Sequence, residues 1–465
     1  MQQDHKRERR AQRWLETRSI DYVPAEERRG KAWHQAPFWF AGNFVLTTMM
    51  VGFAGPLLGL GVGWSILAIA LGVGLGTLLM ACHANQGPRL GLPQMIQSRA
   101  QFGRRGAVLP FMAAVFVYIG FNVFDVILAA DAIAVVFEAP RPASYALLIA
   151  AAGIVSIVGH DLLHVVQRWL TCVLILIFGA LSIALCVRLA AAGGVEMGVF
   201  AWSAWLAQMS AAAGYQLSYS VYVSDYSRYL PEETPAARLI AWTWLGAAGS
   251  ALWLMSLGAV LAGELAPSNV IEGLRQLGEA LAPGFGVLAV LIAAPALVGI
   301  MAVNFYGAML TGLSALDAMR PVPRGLIFRV GGITVSAVVV WLSALGLSAD
   351  YLASFNVFVS LMLYLLVPWS AVNLVDFYWV RRGRYAIRDI CLADGVYGQW
   401  SRPGLLSYLG GLLAMLPFVV LGACAGPAAR ALGGVDLSWV VGLLVSGGAY
   451  WMLSRQEAAQ AAWER

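Results

Sequence analysis

The chain is poor in charge. Only 12% of its 465 residues are Asp, Glu, Lys or Arg, while 60% are hydrophobic and the mean hydropathy is +0.73. That balance excludes an ordinary soluble domain and describes a polytopic membrane protein. Cysteine is also sparse. Cys82, Cys172, Cys186, Cys391 and Cys424 stand singly in or near apolar runs with no C-x-x-C spacing, so they read as packing residues rather than a disulfide framework or a zinc site. The chain has no G-x-x-x-x-G-K-[ST], no G-x-S-x-G, no H-E-x-x-H and no hydrophilic stretch long enough for a nucleotide-binding domain. These absences remove ATP-driven pumps and most membrane enzymes. The expectation is a protein that is not an enzyme and carries neither cofactor nor metal. Histidine is scarce as well. His5 and His34 flank the N-terminal tail and His83 closes an apolar run, while His160 and His164 lie four apart beside Asp161 with no third ligand nearby, in what reads as a solvated connector.

What the chain has is long apolar runs. A spanning helix needs roughly 20 mainly apolar residues, and twelve such stretches lie near 35–60, 62–83, 107–137, 143–159, 168–190, 202–223, 239–263, 284–312, 325–346, 351–380, 404–426 and 436–454. With twelve spans, 26 of the 30 Lys and Arg fall on the side that holds both termini; only Arg141, Arg188, Arg275 and Arg430 fall on the other. By the positive-inside rule the crowded side is cytoplasmic, and a miscount of spans would have scrambled the asymmetry. The reading is therefore a solvated cytoplasmic tail at 1–34, a transmembrane domain at 35–454 and a cytoplasmic tail at 455–465, in the cytoplasmic membrane. The same distribution argues that the net charge of +5 serves membrane topology and not nucleic-acid binding.

Three apolar segments carry unexpected polarity. In VYIGFNVFDVILAAD, residues 117–131, Asn122 and Asp125 fall near the middle of the third span, where polar groups are costly and mark functional positions. Tyr118, Asn122 and Asp125 are spaced i, i+4, i+7 and share a helical face. In GYQLSYSVYVSDYSRYLP, 214–231, hydroxyl and amide side chains crowd the second half of the sixth span, as in a helix lining something wet. In IAAPALVGIMAVNFYGAMLT, 292–311, Pro295, Gly299 and Gly307 interrupt the eighth span and Asn304 is its only amide; such interruptions are tolerated where helices break around a cavity.

Three further stretches, GLPQMIQSRAQFGRRG at 91–106, VSDYSRYLP at 223–231, and AVNLVDFYWVRRGRYAIRDI with DGVYG at 371–398, resemble the nucleobase:cation symporter family of purine and cytosine permeases. The resemblance runs from the first span to the loop after the tenth. It implies an all-α, twelve-helix transporter with the inverted five-plus-five repeat of the LeuT type and two extra C-terminal helices. Helices 1 and 6 would be broken at mid-membrane, and one base would bind between helices 1, 3, 6 and 8. Internal support for the repeat is thin, namely Gly42, Gly52 and Gly214 in spans 1 and 6.

The resemblance also implies site residues. An aromatic followed four positions later by an amide on helix 3 falls on Tyr118 and Asn122. A flat heteroaromatic base calls for such a pair, an aromatic platform and a group that donates and accepts at once. Asn122 also fits a helix-packing amide. On helix 8 the family pattern falls on Asn304, two residues before Tyr306. On helix 6 the second stacking aromatic of several relatives is replaced by Gln216, leaving two readings: its neighbour Tyr215 takes the role, or Gln216 bonds a more polar base. On helix 1, FAGNF at 40–44 marks the break, with Asn43 facing the substrate or capping a half-helix.

The implied cargo is cytosine or a purine, with allantoin, a hydantoin or a vitamin precursor as the alternative. For the coupling ion, sodium-coupled relatives use helix 8 hydroxyls at positions that fall here on Val298 and Gly299, and no Ser or Thr occurs between Gly284 and Tyr306. Proton coupling is the better reading. Asp125, with no Lys or Arg in mid-span to pair with it, is the coupling candidate, because burial without a cation favours a neutral acid. A permanently protonated Asp125 bonded to a neighbouring helix stays open beside it.

Overall fold

The computed structural model describes residues 22–463 except 138, 159, 192, 321, 323, 324, 348–350 and 393; side chains at 158, 160–168 and 456–463 are also outside the description. Each of the twelve apolar stretches contains helix. Among the described residues, seven helices are long and apolar enough to cross a membrane on their own, and a bent pair counted as one span makes an eighth. That pair is span 1, Gln35–Asn43 and Leu46–Val51, whose halves, extended to Ala32 and Leu57, meet at 72°. Spans 2 to 5 are Val62–Ala84, Val108–Ala134, Arg141–Val158 and His160–Ala191. Span 6 is Trp202–Ser218, a 3-10 turn Tyr219–Val221, then Val223–Ser227. Spans 7 to 10 are Ala236–Leu265, Phe285–Met319, Leu326–Gly346 and Leu352–Val375. Arg402–Met415 and Ser438–Trp463 follow at the places expected of spans 11 and 12.

The first helix of each five is thus the broken one, as an inverted repeat requires. Span 3 packs on span 8 and both touch span 9, while span 2 packs on spans 6 and 7 and span 7 holds both halves of span 1. Glycines set the second group's spacing. A Cβ on Gly52 would lie 2.0 Å from the Met255 carbonyl oxygen, and one on Gly76 2.3 Å from that of Ala213. Backbone cannot yield as a side chain can, so Gly52→Ala is expected to destabilise the fold by about 1–3 kcal/mol. A thermal melt of the detergent-solubilised variant checks this; a melt equal to that of the parent protein would contradict the close packing.

Several expectations change. The span 1 break falls at the end of FAGNF, turning at Phe44 and Val45, and span 6 is interrupted at Tyr219–Tyr222, while Gly214 packs on Leu363 of span 10. Span 8 does not break at Pro295, Gly299 or Gly307 but runs unbroken for 35 residues. Span 11 is shorter than 404–426, because the chain leaves the helix for a two-residue hairpin, Val420–Leu421 with Cys424–Ala425. The connector at 160–164 is the start of the span 5 helix, and the side chains of His160 and His164 lie outside the described residues, as does His5. Four of the five cysteines are exposed rather than packed. The tail is not all solvated. Residues 1–21 are outside the description, but Val23 is buried and donates its N–H to the Gly91 carbonyl at 2.9 Å, and Arg28 reaches the Pro88 carbonyl at 2.6 Å.

The three signature stretches converge on one face. Asp225 accepts from the Gln94 backbone N–H at 2.7 Å. Gln86 donates to Asn373 at 2.5 Å and Gln94 to Gln86 at 3.0 Å. Asp376, fully buried, accepts from Gln101 (2.7 Å), Tyr385 (2.7 Å), Tyr450 (2.8 Å) and Arg381 (3.0 Å).

Candidate functional site

The two breaks lie side by side, and the polar groups they free are bonded locally. Span 1 must end at Asn43 because Val45 is extended, at φ −134° and ψ 160°. The Thr48 hydroxyl donates to the freed Asn43 carbonyl at 2.7 Å and lies 2.8 Å from the Tyr215 hydroxyl, which in turn receives Tyr219 at 3.4 Å. One chain of hydroxyls therefore ties the break of span 1 to that of span 6.

Between the breaks and the span 3 and span 8 pair is a void of about 10 Å³, room for one water. Span 1 contributes Val45 and Thr47, span 3 Phe121 and Asp125, span 6 Tyr215, Tyr219 and Tyr222, and span 8 Ile300 and Asn304. Tyr219, Tyr222 and Ile300 also close the inner end of a vestibule of about 640 Å³ that runs along Trp33 to Gly42. The void is too small for an aromatic ring, so an occupant enters only as these walls separate. Asp125 is 1% exposed and accepts a hydrogen bond from the Thr47 hydroxyl through Oδ1. Phe121 meets Tyr215 edge to face at 5.4 Å. Asn304 is 2% exposed and its Oδ1 has no partner.

Of the residues singled out in sequence, Asp125, Tyr215 and Asn304 line this void. Tyr118 and Asn122 do not. Tyr118 stacks at 5.7 Å and 24° on Tyr222 and packs on Gly307, beside a separate pocket bordered by Tyr226 and Tyr306. Asn122 donates to the Met301 carbonyl of span 8 at 3.2 Å, as a helix-packing amide does, while its Oδ1, like that of Asn304, is buried with no partner. Asn43 and Gln216 also face protein: Asn43 donates to Gln216 and to the Ala247 carbonyl, both at 2.9 Å, and Gln216 donates to Thr77 at 2.8 Å. Their polar atoms are spent on joining spans 1, 2, 6 and 7.

The aromatic and polar pair at the void is Phe121 with Asp125, the same i, i+4 spacing three residues further along span 3. Thr47, Phe121, Tyr219 and Tyr222 were not anticipated. A signal for the tyrosines was present, since 215, 219 and 222 are spaced i, i+4, i+7; nothing local marked Thr47. Asn304→Ala is expected to weaken ligand binding about tenfold to a hundredfold, since a desolvated polar edge loses its partner at a cost of roughly 1–3 kcal/mol. Equilibrium binding to purified protein tests it, and unchanged affinity would remove Asn304 from the site.

Residues 22–442 match the family model described as "Permease for cytosine/purines, uracil, thiamine, allantoin". The Bacillus subtilis protein YxlA is 36% identical over 447 residues, 95% of this chain and 96% of that one. The purine-cytosine permease fcyB of Emericella nidulans is 25% identical over 388 residues, 79% of this chain and 74% of its own length. Among solved structures, Mhp1, a nucleobase-cation-symport-1 family transporter, matches in a closed conformation with bromovinylhydantoin bound at a TM-score of 0.75 and 19% identity, covering 96% of each chain. Its inward-facing conformation matches at 0.73 and 18% identity, covering 96% of this chain and 95% of that one. At that identity the structures speak for the fold alone, which is the LeuT-like repeat expected from sequence. With the family model spanning nearly the whole chain and YxlA above 30% identity, the chain belongs to the purine and cytosine permease family, the nucleobase:cation symporters.

Proposed function

We propose that this protein imports a nucleobase, cytosine or a purine, across the cytoplasmic membrane with a coupled proton, by alternating access and with both termini in the cytoplasm. The observation that carries the reading is the composition of the central void: aromatic rings from spans 3 and 6, the open amide of Asn304 and the carboxyl of Asp125, beside the bend of span 1 and the interruption of span 6. A flat base needs a ring to stack on and polar groups at its edge, and half-helix ends around a mid-membrane site are the usual machinery of such carriers. Proton coupling is supported by Asp125 in the void and by the run from Gly284 to Tyr306 without Ser or Thr, which leaves a hard cation short of oxygen ligands. The Lys and Arg asymmetry supports the orientation.

A second reading, import of allantoin or a hydantoin, is favoured by the allantoin in the family description and the hydantoin bound to the structural neighbour. Uptake of labelled cytosine by a strain lacking its own permeases, challenged with unlabelled bases, allantoin and hydantoin, separates the two. Competition by bases alone is the expected result; competition by hydantoin or allantoin alone selects the second reading.

A further inference from the structure

We propose that Asp125, in its acid form, is itself a base ligand, and that it selects bases carrying an amidine edge, a ring nitrogen beside an exocyclic amine, as in aminopyrimidines and 6-aminopurines. The inference rests on the nucleobase reading above and adds to it which edge of the base is read, and by which residue.

Several polar atoms at the void are already occupied. The Thr47 hydroxyl is given to Asp125, that of Tyr219 to Tyr215, and the Tyr215 and Thr48 hydroxyls pair with each other. Asp125 keeps a second oxygen for an occupant, and Asn304 keeps a buried Oδ1 with no partner. The groups around Asp125 are Thr47 on span 1, Tyr215, Tyr219 and Tyr222 on span 6, and Ile300 and Asn304 on span 8, while span 10 presents Phe358 to Phe121. Among these described residues no Lys or Arg neutralises the carboxylate.

With Thr47 donating into Oδ1, the acid proton sits on Oδ2, so one carboxyl offers a donor beside an acceptor. An amidine edge is the complement: its ring nitrogen accepts the acid proton and its amine donates back. The ring nitrogen is a much stronger base than the carbonyl of an imide edge, so it draws the proton toward itself and turns the contact into a charge-assisted pair, roughly twice as strong as a neutral one. Asn304 on span 8 then accepts from a further N–H of the ring. Proton and base thus share one carboxyl. Above the pH at which Asp125 ionises, two acceptors face an edge with a single donor, and affinity falls about tenfold per pH unit, the slope of one bound proton per base.

The test is equilibrium binding of labelled cytosine and adenine to the purified full chain between pH 5.5 and 8.5, with uracil and hydantoin as competitors. The expected result is the alkaline loss of affinity for both amino bases, with uracil weaker by about tenfold to a hundredfold. Asp125→Asn keeps a donor beside an acceptor but has no proton to lose, so it should bind cytosine more weakly than the parent does at acid pH, with a flat pH profile. Asp125→Ala should lose binding; if that variant does not fold, the Asn variant and the competitors decide alone. The proposal is overturned if Asp125→Asn keeps the alkaline slope, if Asp125→Ala binds as the parent does, or if uracil competes as well as cytosine. Parent protein that binds hydantoin and no base at any pH would instead remove the nucleobase reading, and this inference with it.

Discussion

Asp125→Asn, reconstituted in vesicles, is expected still to exchange internal for external base and to lose all accumulation driven by an inward proton gradient. The amide matches the acid in shape and in its hydrogen-bonding pattern, so the walls of the void and the Thr47 contact have no reason to rearrange. What the variant lacks is a group that can be loaded on one side and unloaded on the other. A carboxylate at mid-membrane costs roughly 2.5–3.5 kcal/mol even on the gentler insertion scale, so a carrier that holds base without the proton is reluctant to close, and base moves inward only together with a proton. A variant that still concentrates base under a pH gradient would mean the proton travels by another route, and Asp125 would keep at most its role as a ligand.

The largest loss of stability is expected from Asp376→Ala. Its carboxylate is fully buried and receives four donors, from the loop after span 2, the segment after span 10 and span 12. Removing one partner of such a cluster strands the others and typically costs 3–5 kcal/mol; Arg381, about one third exposed, recovers part of its hydration, so about 3 kcal/mol is expected. The readout is the melting temperature and the yield of monodisperse protein. Asp376→Asn should fall between, because the amide still accepts on one side and turns an N–H against donors on the other. Equal melting of the Ala variant and the parent protein would show that the cluster ties nothing together.

The spans were legible in sequence because hydropathy acts on twenty residues at once, and the break of span 1 because Asn43 interrupts an apolar run close to where the helix ends. The register of span 3 was not. Aromatic and polar residues at i, i+4 occur there twice, as Tyr118 with Asn122 and as Phe121 with Asp125, and helical periodicity alone cannot choose between pairs offset by less than one turn. The surroundings of the two pairs are set by partners distant in sequence: Gly307 and Tyr222 enclose Tyr118, and the Met301 carbonyl takes Asn122. The partners of Gln216 were hidden for the same reason. An amide in a wet-looking helix gives no local sign that Asn43 and Thr77, more than a hundred residues away, already hold it.

The convergence of the three signature stretches bears on how cargo diverges in such carriers. Those stretches bond to one another around Asp225, Gln86 and Asp376, apart from the void, whose lining comes from Val45, Thr47, Phe121, Asp125, Tyr215 and a few neighbours. Substitutions that retune the void leave that scaffold untouched, and selection on the scaffold places no demand on the void. Two descendants of one ancestor can therefore keep all three stretches letter for letter while the lining of the proposed site drifts on its own, so inheritance of the motifs reports lineage and not the identity of the passenger.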